Sequence, residues 1–518
     1  MLAKTLFAAL TATTCLTAAA RAGELTRIAT VPLGAEVTGL FVEGADLFMN
    51  VQHPSGSLES AFAKATIGVI ANADFGAGAQ PVPTDAADKA VVRTSLGAYQ
   101  ILLQQGDFDV IGVIEGAAGR IRTSNRPDFN AFVKTGAGQG YLFTAFEDRP
   151  GGMSRVKMSR AADGTWTVDR SDARMLDFSG VRGTWVNCFG TLSPWGTPLT
   201  SEELYFDDTA DWNNPYYKYI NGPEALEQYL GTYPNPYDYG LIVEITDPAG
   251  AATPVKRRAL GRFSHENAVV MPDQRTVYLS DDGLDTVFFK FVADRAGDLS
   301  AGTLFAAKAT QMGAPGADAA LTPLKLEWIE LAHGTDTQID GWVRDYDGIS
   351  QADHGDDSSY LSDADVVAWA EGKATDDRAA FLESRKAAKA KGATAEFRKM
   401  EGVNIHYEGA RDGSVPYMYM AMSEVTKGMS DTKGDLQLGE ARCGVVYQMR
   451  LDGAYNVDKM VPVVAGGAFS ASDPANACAV DAIANPDNLV VLANGDVVIG
   501  EDSGAHENNA LWLFRPEN

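Results

Sequence analysis

The 518-residue sequence predicts an all-β fold, a six-bladed β-propeller with a few inserted helices, and three observations carry that prediction. Short strand-like runs recur along the chain. Turns of the Asp-Gly or Asn-Gly kind punctuate it. Acidic residues stand at the ends of the runs. The clearest runs are 46–51, 141–145, 240–245, 276–280, 287–291, 417–422 and 496–500. They alternate in part and are bounded by Gly, Asp, Asn or Pro, as strands are. The turns Ala162-Asp163-Gly164, Leu451-Asp452-Gly453 and Ala493-Asn494-Gly495 suit antiparallel hairpins. Many short antiparallel strands in one long chain fit a radial array of four-stranded blades, which manages sheet edges within one domain. No repeat of the WD type is present, so the blades must be divergent. A pair of β-sandwiches is the architectural alternative.

Taken in order, residues 1–22 read as a signal peptide and 23–518 as a single β-propeller domain. Lys4 gives a positive start, 6–20 is apolar and rich in small residues, and Ala20-Arg21-Ala22 is a cleavage site. The apolar stretch is too short to span a bilayer comfortably. No Arg-Arg pair precedes it, so a Sec-type route to the periplasm or the extracellular space is expected. Cleavage after Ala22 takes the formal charge from −26 to −28. That charge excludes a nucleic-acid-binding role and an anionic membrane surface as partner. A monomer is expected. An anionic substrate would need local positive charge to overcome the mean field.

Cleavage also removes Cys15 and leaves Cys188, Cys443 and Cys478. An odd count in an oxidising compartment suggests one disulfide and one special thiol. Order along the chain makes Cys443 and Cys478 the candidate pair and leaves Cys188 free. Two stretches read as helical: a short one near 85–90, and a helical insertion near 363–391 that Gly372 divides into two. The basic run at the end of the insertion, Arg385 to Lys391, reads as a solvated face and a partner for the helix C-terminus.

Several chemistries lack their motifs. There is no phosphate-binding Gly-rich loop with Gly-Lys-Ser/Thr and no Gly-x-Ser-x-Gly elbow. His265-Glu266 and His506-Glu507 are not followed by the second histidine of a zinc protease motif. Six histidines in all argue against a His-rich zinc or copper site. What the chain has instead is acids at strand ends: Glu202, Glu203, Glu266, Asp281, Asp282, Glu401, Asp487 and Asp502. In a propeller, loops from every blade converge on one mouth. Two bare carboxylates about 4 Å apart repel by roughly 1 kcal/mol in water and roughly 4 kcal/mol at an effective dielectric near 20. A convergent set therefore requires cations. Oxygen donors select calcium, magnesium, manganese or ferric iron, and one thiolate favours a softer or redox-active metal at one position.

These motifs resemble those of the PhoX-type alkaline phosphatases. Residues 187–203, Asn-Cys-Phe-Gly-Thr-Leu-Ser-Pro-Trp-Gly-Thr-Pro-Leu-Thr-Ser-Glu-Glu, resemble the family's N-C-x-G-G-x-T-P-W-G-T-x-L-T-C-E-E. Gly261-Arg262-Phe263-Ser264-His265-Glu266 resembles G-R-F-x-H-E, and Tyr278-Leu279-Ser280-Asp281-Asp282 resembles Y-x-G-D-D. Gly392-Ala393-Thr394 with Arg398 to Glu401 resembles G-A-T with R-P-E, and Pro486-Asp487-Asn488 resembles P-D-N. Glu36-Val37-Thr38-Gly39 with Gln52-His53-Pro54 resembles E-x-T-G with Q-H-P.

The resemblance implies a secreted β-propeller phosphatase that carries paired ferric ions (Fe3+) with several calcium ions (Ca2+) and acts on small phosphoesters. By resemblance Cys188, Glu202 or Glu203, Glu266, Glu401, Asp487, Glu36 and Gln52 are candidate metal ligands. Arg398 and Arg262 are the candidate phosphate-contacting arginines. Departures accompany the match. Ser201 replaces a cysteine, Phe189 and Thr191 replace small residues, and one extra residue separates Arg398 from Glu401. The Glu36–Gln52 motif comes first, whereas in the family it lies near the C-terminus. Two other readings share the architecture, a calcium-dependent lactonase or esterase and a non-catalytic binding propeller. The first needs neither Cys188 nor Arg398, and in the second the same residues would be buried in ion pairs with no open coordination position.

Overall fold

The first and last strands of the chain pair with each other. Glu24–Thr30 runs antiparallel to Ala510–Arg515 and completes a sheet with Val497–Glu501 and Pro486–Val491. This pairing closes a ring, seen in a computed structural model that describes residues 23–204, 206, 208–216, 222–354 and 360–517. The signal-peptide expectation falls outside the described residues.

Six blades make the ring. The inner strands are Glu36–Glu43, Pro127–Gly136, Asn187–Leu192, His265–Val270, Met400–Ile405 and Pro486–Val491. Each packs on the inner strand of the next blade, and the sixth packs on the first. Each is followed by a hairpin partner and two outer strands. Blades 4 and 5 share one nine-stranded sheet, because Leu324–Thr335 extends blade 4 until Leu324 and Lys325 pair with Met460 and Lys459 of blade 5.

The strands read from sequence lie in these blades. The three expected turns each join neighbouring strands, with Gly164 at φ +95° and Gly495 at φ +90°, a conformation glycine adopts without penalty. Central strands such as Asp46–Gln52 and Thr276–Asp281 are buried along their whole length because both faces pack against neighbouring blades. One apolar cluster fills each interface between blades, such as Phe48 and Ile67 of blade 1 against Phe132 and Leu142 of blade 2. Another sets Tyr419 and Val446 of blade 5 against Leu489 and Trp512 of blade 6.

The helical insertion consists of three short helices, Asp363–Ala370, Arg378–Leu382 and Ser384–Ala390, the first ended by Gly372 at φ +74°. The second and third pack on blade 4 through Phe381, Leu382 and Ala388. Near 85–90 only a single turn forms, Asp88–Ala90. Cys443 and Cys478 are disulfide-bonded, with Cα atoms 5.9 Å apart, and Cys188 is free and buried. No helix among the described residues is long and apolar enough to cross a membrane.

Candidate metal centre

All six blades repeat one device at the same end of the ring. The first or second residue of the inner strand stands beside the residue that ends, or just follows, its hairpin partner. The pairs are Glu36 with Gln52, Asp128 with Glu147, Cys188 with Glu203, Glu266 with Asp282, Glu401 with Ser423, and Asp487 with Asp502. The register explains the repeat. Glu36 pairs directly with Gln52. In the other blades the preceding residues pair: Pro127 with Phe146, Asn187 with Glu202, His265 with Asp281, Met400 with Met422 and Pro486 with Glu501. In every blade the ladder is interrupted just beyond this point. Such bulges bend a strand and re-aim its side chains, and here they turn the donors toward the axis.

Three groups bring their donor atoms within 4.8 Å of one another: Cys188, Glu203 and Glu266; Glu266, Glu401 and Asp487; and Glu36, Asp487 and Asp502. Glu266 and Asp487 are shared, so the groups form one chain of donors. Gln52 Nε2 donates to Glu36 and, at 2.8 Å, to Glu147. The Cys188 thiol lies 3.6 Å from Asp128 Oδ2. The inner-strand donors are buried, as are Gln52 and Ser423, while Glu147, Glu203, Asp282 and Asp502 at the other hairpin ends are more exposed.

The electrostatics are those of a site built for cations. Burial, then neighbouring carboxylates, pushes Glu36, Glu203, Glu266, Glu401 and Asp487 well above the usual carboxylate range. Burial, then Glu147, does the same to Asp128, and burial, then Asp128 and Glu266, pushes the Cys188 thiol up. Gln52 Oε1, Asp128 Oδ1, Glu266 Oε1 and Asp282 Oδ1 are buried atoms without a hydrogen-bond partner. Orphaned buried oxygens and a thiol among crowded acids fit hard cations with one softer position. Three positive side chains and a histidine lie against the rim. Lys399 Nζ is 2.8 Å from Glu401, His53 Nε2 is 2.7 Å from Glu36, Arg126 is 3.4 Å from Glu147, and Arg398 lies by Asp282.

Cys188, Glu203, Glu266, Glu401, Asp487, Glu36 and Gln52 come together here. Glu202 and Arg262 do not. Glu202 precedes Glu203 on a strand, so its side chain takes the opposite face. There it meets Lys256 Nζ at 3.0 Å, Thr184 Oγ1 at 2.8 Å and the Leu241 amide at 3.2 Å. Glu202→Gln is expected to cost about 3–5 kcal/mol by leaving the buried Lys256 charge uncompensated. Chemical denaturation should show that loss while elemental analysis finds the native metal content.

Arg262 turns into the protein. It donates to the carbonyls of Tyr239 at 3.0 Å and Leu382 at 3.1 Å and stacks near Tyr237, clamping blade 3 to the helical insertion. His265 accompanies it: burial lowers its pKa to about 3, and its Nε2 meets the Gly261 carbonyl at 3.0 Å. Asp281 is likewise structural and is bound by Arg385. Ser201, in place of the family's cysteine, donates to the carbonyls of Phe189 and Glu266 and so fixes the backbone beside two donors. The extra residue between Arg398 and Glu401 is absorbed at Lys399, which takes φ +48° where the strand Phe397–Arg398 meets the inner strand.

The family model described as alkaline phosphatase PhoX matches residues 144–515. The match leaves out the inner strand of blade 2 and all of blade 1, whose Glu36–Gln52 motif comes in a different order from the motifs it resembles. In a closed ring that order is immaterial, because the amide of Gly39 in blade 1 still meets Asn488 Oδ1 of blade 6 at 2.9 Å. No curated protein sequence matches the chain. Among solved structures, Pseudomonas fluorescens PhoX in complex with vanadate, a transition state analogue, is 19% identical. Its TM-score is 0.52 over 76% of this chain and 80% of that one, a likeness of fold. A glucose dehydrogenase aligns at 8% identity and a TM-score of 0.38, over 96% of this chain and all of that one.

Proposed function

The chain belongs to the alkaline phosphatase PhoX family, and from that premise we propose that it hydrolyses phosphate monoesters at the metal centre in the propeller mouth. The convergence of Cys188 with carboxylates from all six blades carries the reading. A lactonase or a purely structural calcium site has no use for the thiol. The donors that fit the ions are Cys188, Glu203 and Glu266 for iron (Fe3+), and Glu36, Glu401, Asp487 and Asp502, with Gln52, Asp128 and Glu147 beside them, for calcium (Ca2+). Such ions supply Lewis acidity toward phosphoryl oxygens and a nucleophile near neutral pH.

The chain's own residues do the rest. The acids hold the cations, and the buried walls keep the centre in a low dielectric where each charge acts strongly. Local positive charge then admits an anion to a protein of formal charge −26. Arg398 stands at the rim. Its Nη1 donates to the Gly283 carbonyl at 3.0 Å, its Nε is buried 3.7 Å from Glu424, and Nη2 makes no hydrogen bond among the described residues. That leaves donors to orient the nonbridging oxygens of a phosphate.

Arg398→Ala is expected to lower kcat/KM about 10- to 100-fold, the worth of a charged hydrogen bond. Arg398→Lys should recover only part of the loss. Steady-state kinetics on p-nitrophenyl phosphate reads both. The function itself is tested by measuring iron and calcium in the purified protein and phosphate release from p-nitrophenyl phosphate. A metal-loaded protein that hydrolyses no phosphomonoester overturns the proposal. Export rests on the Lys4, apolar and Ala20-Arg21-Ala22 pattern, which places this activity in the periplasm or outside the cell. The Cys443–Cys478 disulfide suits such an oxidising compartment.

A further inference from the structure

Five of the six hairpins present a carboxylate or amide oxygen at the mouth, and blade 5 presents Ser423. The same blade contributes a cation. Lys399 adopts φ +48°, a left-handed conformation that a side-chain-bearing residue takes up only when its surroundings impose it. Its amide donates to the Gly283 carbonyl at 2.9 Å, and its carbonyl accepts from the Ser423 amide at 3.0 Å. Its backbone is thus clamped between the hairpin ends of blades 4 and 5. The clamp aims Nζ into the centre, 2.8 Å from Glu401 Oε1 and 3.5 Å from Asp282 Oδ1. An ordinary extended residue here would point elsewhere, so the strain secures the position of this one ammonium group.

We propose that the Lys399 ammonium is a resident cation of the metal centre, standing between Asp282 and Glu401 in the place of a divalent ion and so setting how many ions the ring binds. An ammonium balances the charge of two adjacent acids, here hydrogen-bonded to Glu401 and ion-paired with Asp282, without an open coordination position. Where Ser423 removes a donor, a fixed single charge suffices. This inference rests on the metal-centre reading above. Its test counts ions as well as turnover.

Native protein, Lys399→Met and Lys399→Arg are equilibrated with calcium and freed of unbound ions. Iron and calcium per chain are then measured by elemental analysis and calcium titration calorimetry. Lys399→Met is expected to bind one calcium more than the native protein with iron unchanged, and Lys399→Arg to keep the native count. Equal calcium counts in Lys399→Met and the native protein overturn the inference and leave the phosphatase reading standing. A native protein without metal would instead remove that reading. Should Lys399→Met fail to fold, the double variant Lys399→Met with Asp282→Asn decides, since it also removes a charge that Lys399 balances. Recovery of the fold with the native count supports the inference, and failure to fold overturns it.

Discussion

Stripping the ions with a strong chelator is expected to abolish phosphatase activity and to lower the melting temperature by roughly 10 °C. An ion held at a thousand times its dissociation constant contributes about 4 kcal/mol, and the three donor groups together about 12 kcal/mol. A chain of this size loses about 1 °C per kcal/mol, from an unfolding entropy near 2 cal/mol/K per residue. The metal-free protein should also show a distinctive pH dependence. Its central carboxylates have pKa values raised by burial and mutual repulsion, so the folded state holds protons that the unfolded state has released. Stability should therefore fall as pH rises above about 4, the unfolded carboxylate value, until the folded groups ionise. Metal-loaded protein should do the opposite, because protons compete with the ions. Scanning calorimetry with and without chelator at pH 5 and pH 8 reads both slopes. An unchanged melting temperature on chelation would remove the metal centre from the account.

Much of this centre is legible in the sequence, and the illegible part has a definite cause. Glu266, Glu401 and Asp487 stand beside recognisable turns or motifs. Asp128 and Glu147 do not: they sit in Pro127-Asp128-Phe129 and Phe146-Glu147-Asp148, which read as ordinary strand ends. Their role depends on a register interruption shared by all six blades, a property of strand pairing that no local pattern encodes. A strand's period of two explains Glu202. One step along the chain exchanges the faces, so Glu203 reaches the axis while Glu202 pairs with Lys256.

Arg262 shares a motif with Glu266, yet chain proximity did not fix where its long side chain would go. The propeller itself follows from strand length and turn chemistry, which are local. The helices Gly222–Leu230, Asp336–Arg344 and Tyr407–Asp412 run only six to nine residues, too short to stand out in the sequence, and two of them are held by packing on neighbouring strands and turns.

Glu266→Gln should lower kcat/KM by about a thousandfold, some 4 kcal/mol of transition-state stabilisation. The substitution keeps shape and removes charge at the one acid that belongs both to the thiol group and to the Glu401–Asp487 group. Cys188→Ala touches a single group, so its effect should be smaller, about a hundredfold. It should also lose the iron and the visible absorption that a ferric thiolate gives. Adding Cys188→Ala to Glu266→Gln should cost little more, because residues that act as one unit are not additive.

Stability separates this account from simple misfolding. In metal-free protein above pH about 4, folding makes Glu266 take up a proton beside Glu401, Asp487 and Glu203, so Glu266→Gln, which needs none, should raise the melting temperature. In metal-loaded protein the same change removes a ligand and should lower it. A substitution whose effect on stability reverses sign with the metal identifies a ligand. One that destabilises both forms identifies a residue of the scaffold, and a Glu266→Gln protein of that second kind would sink the proposed role.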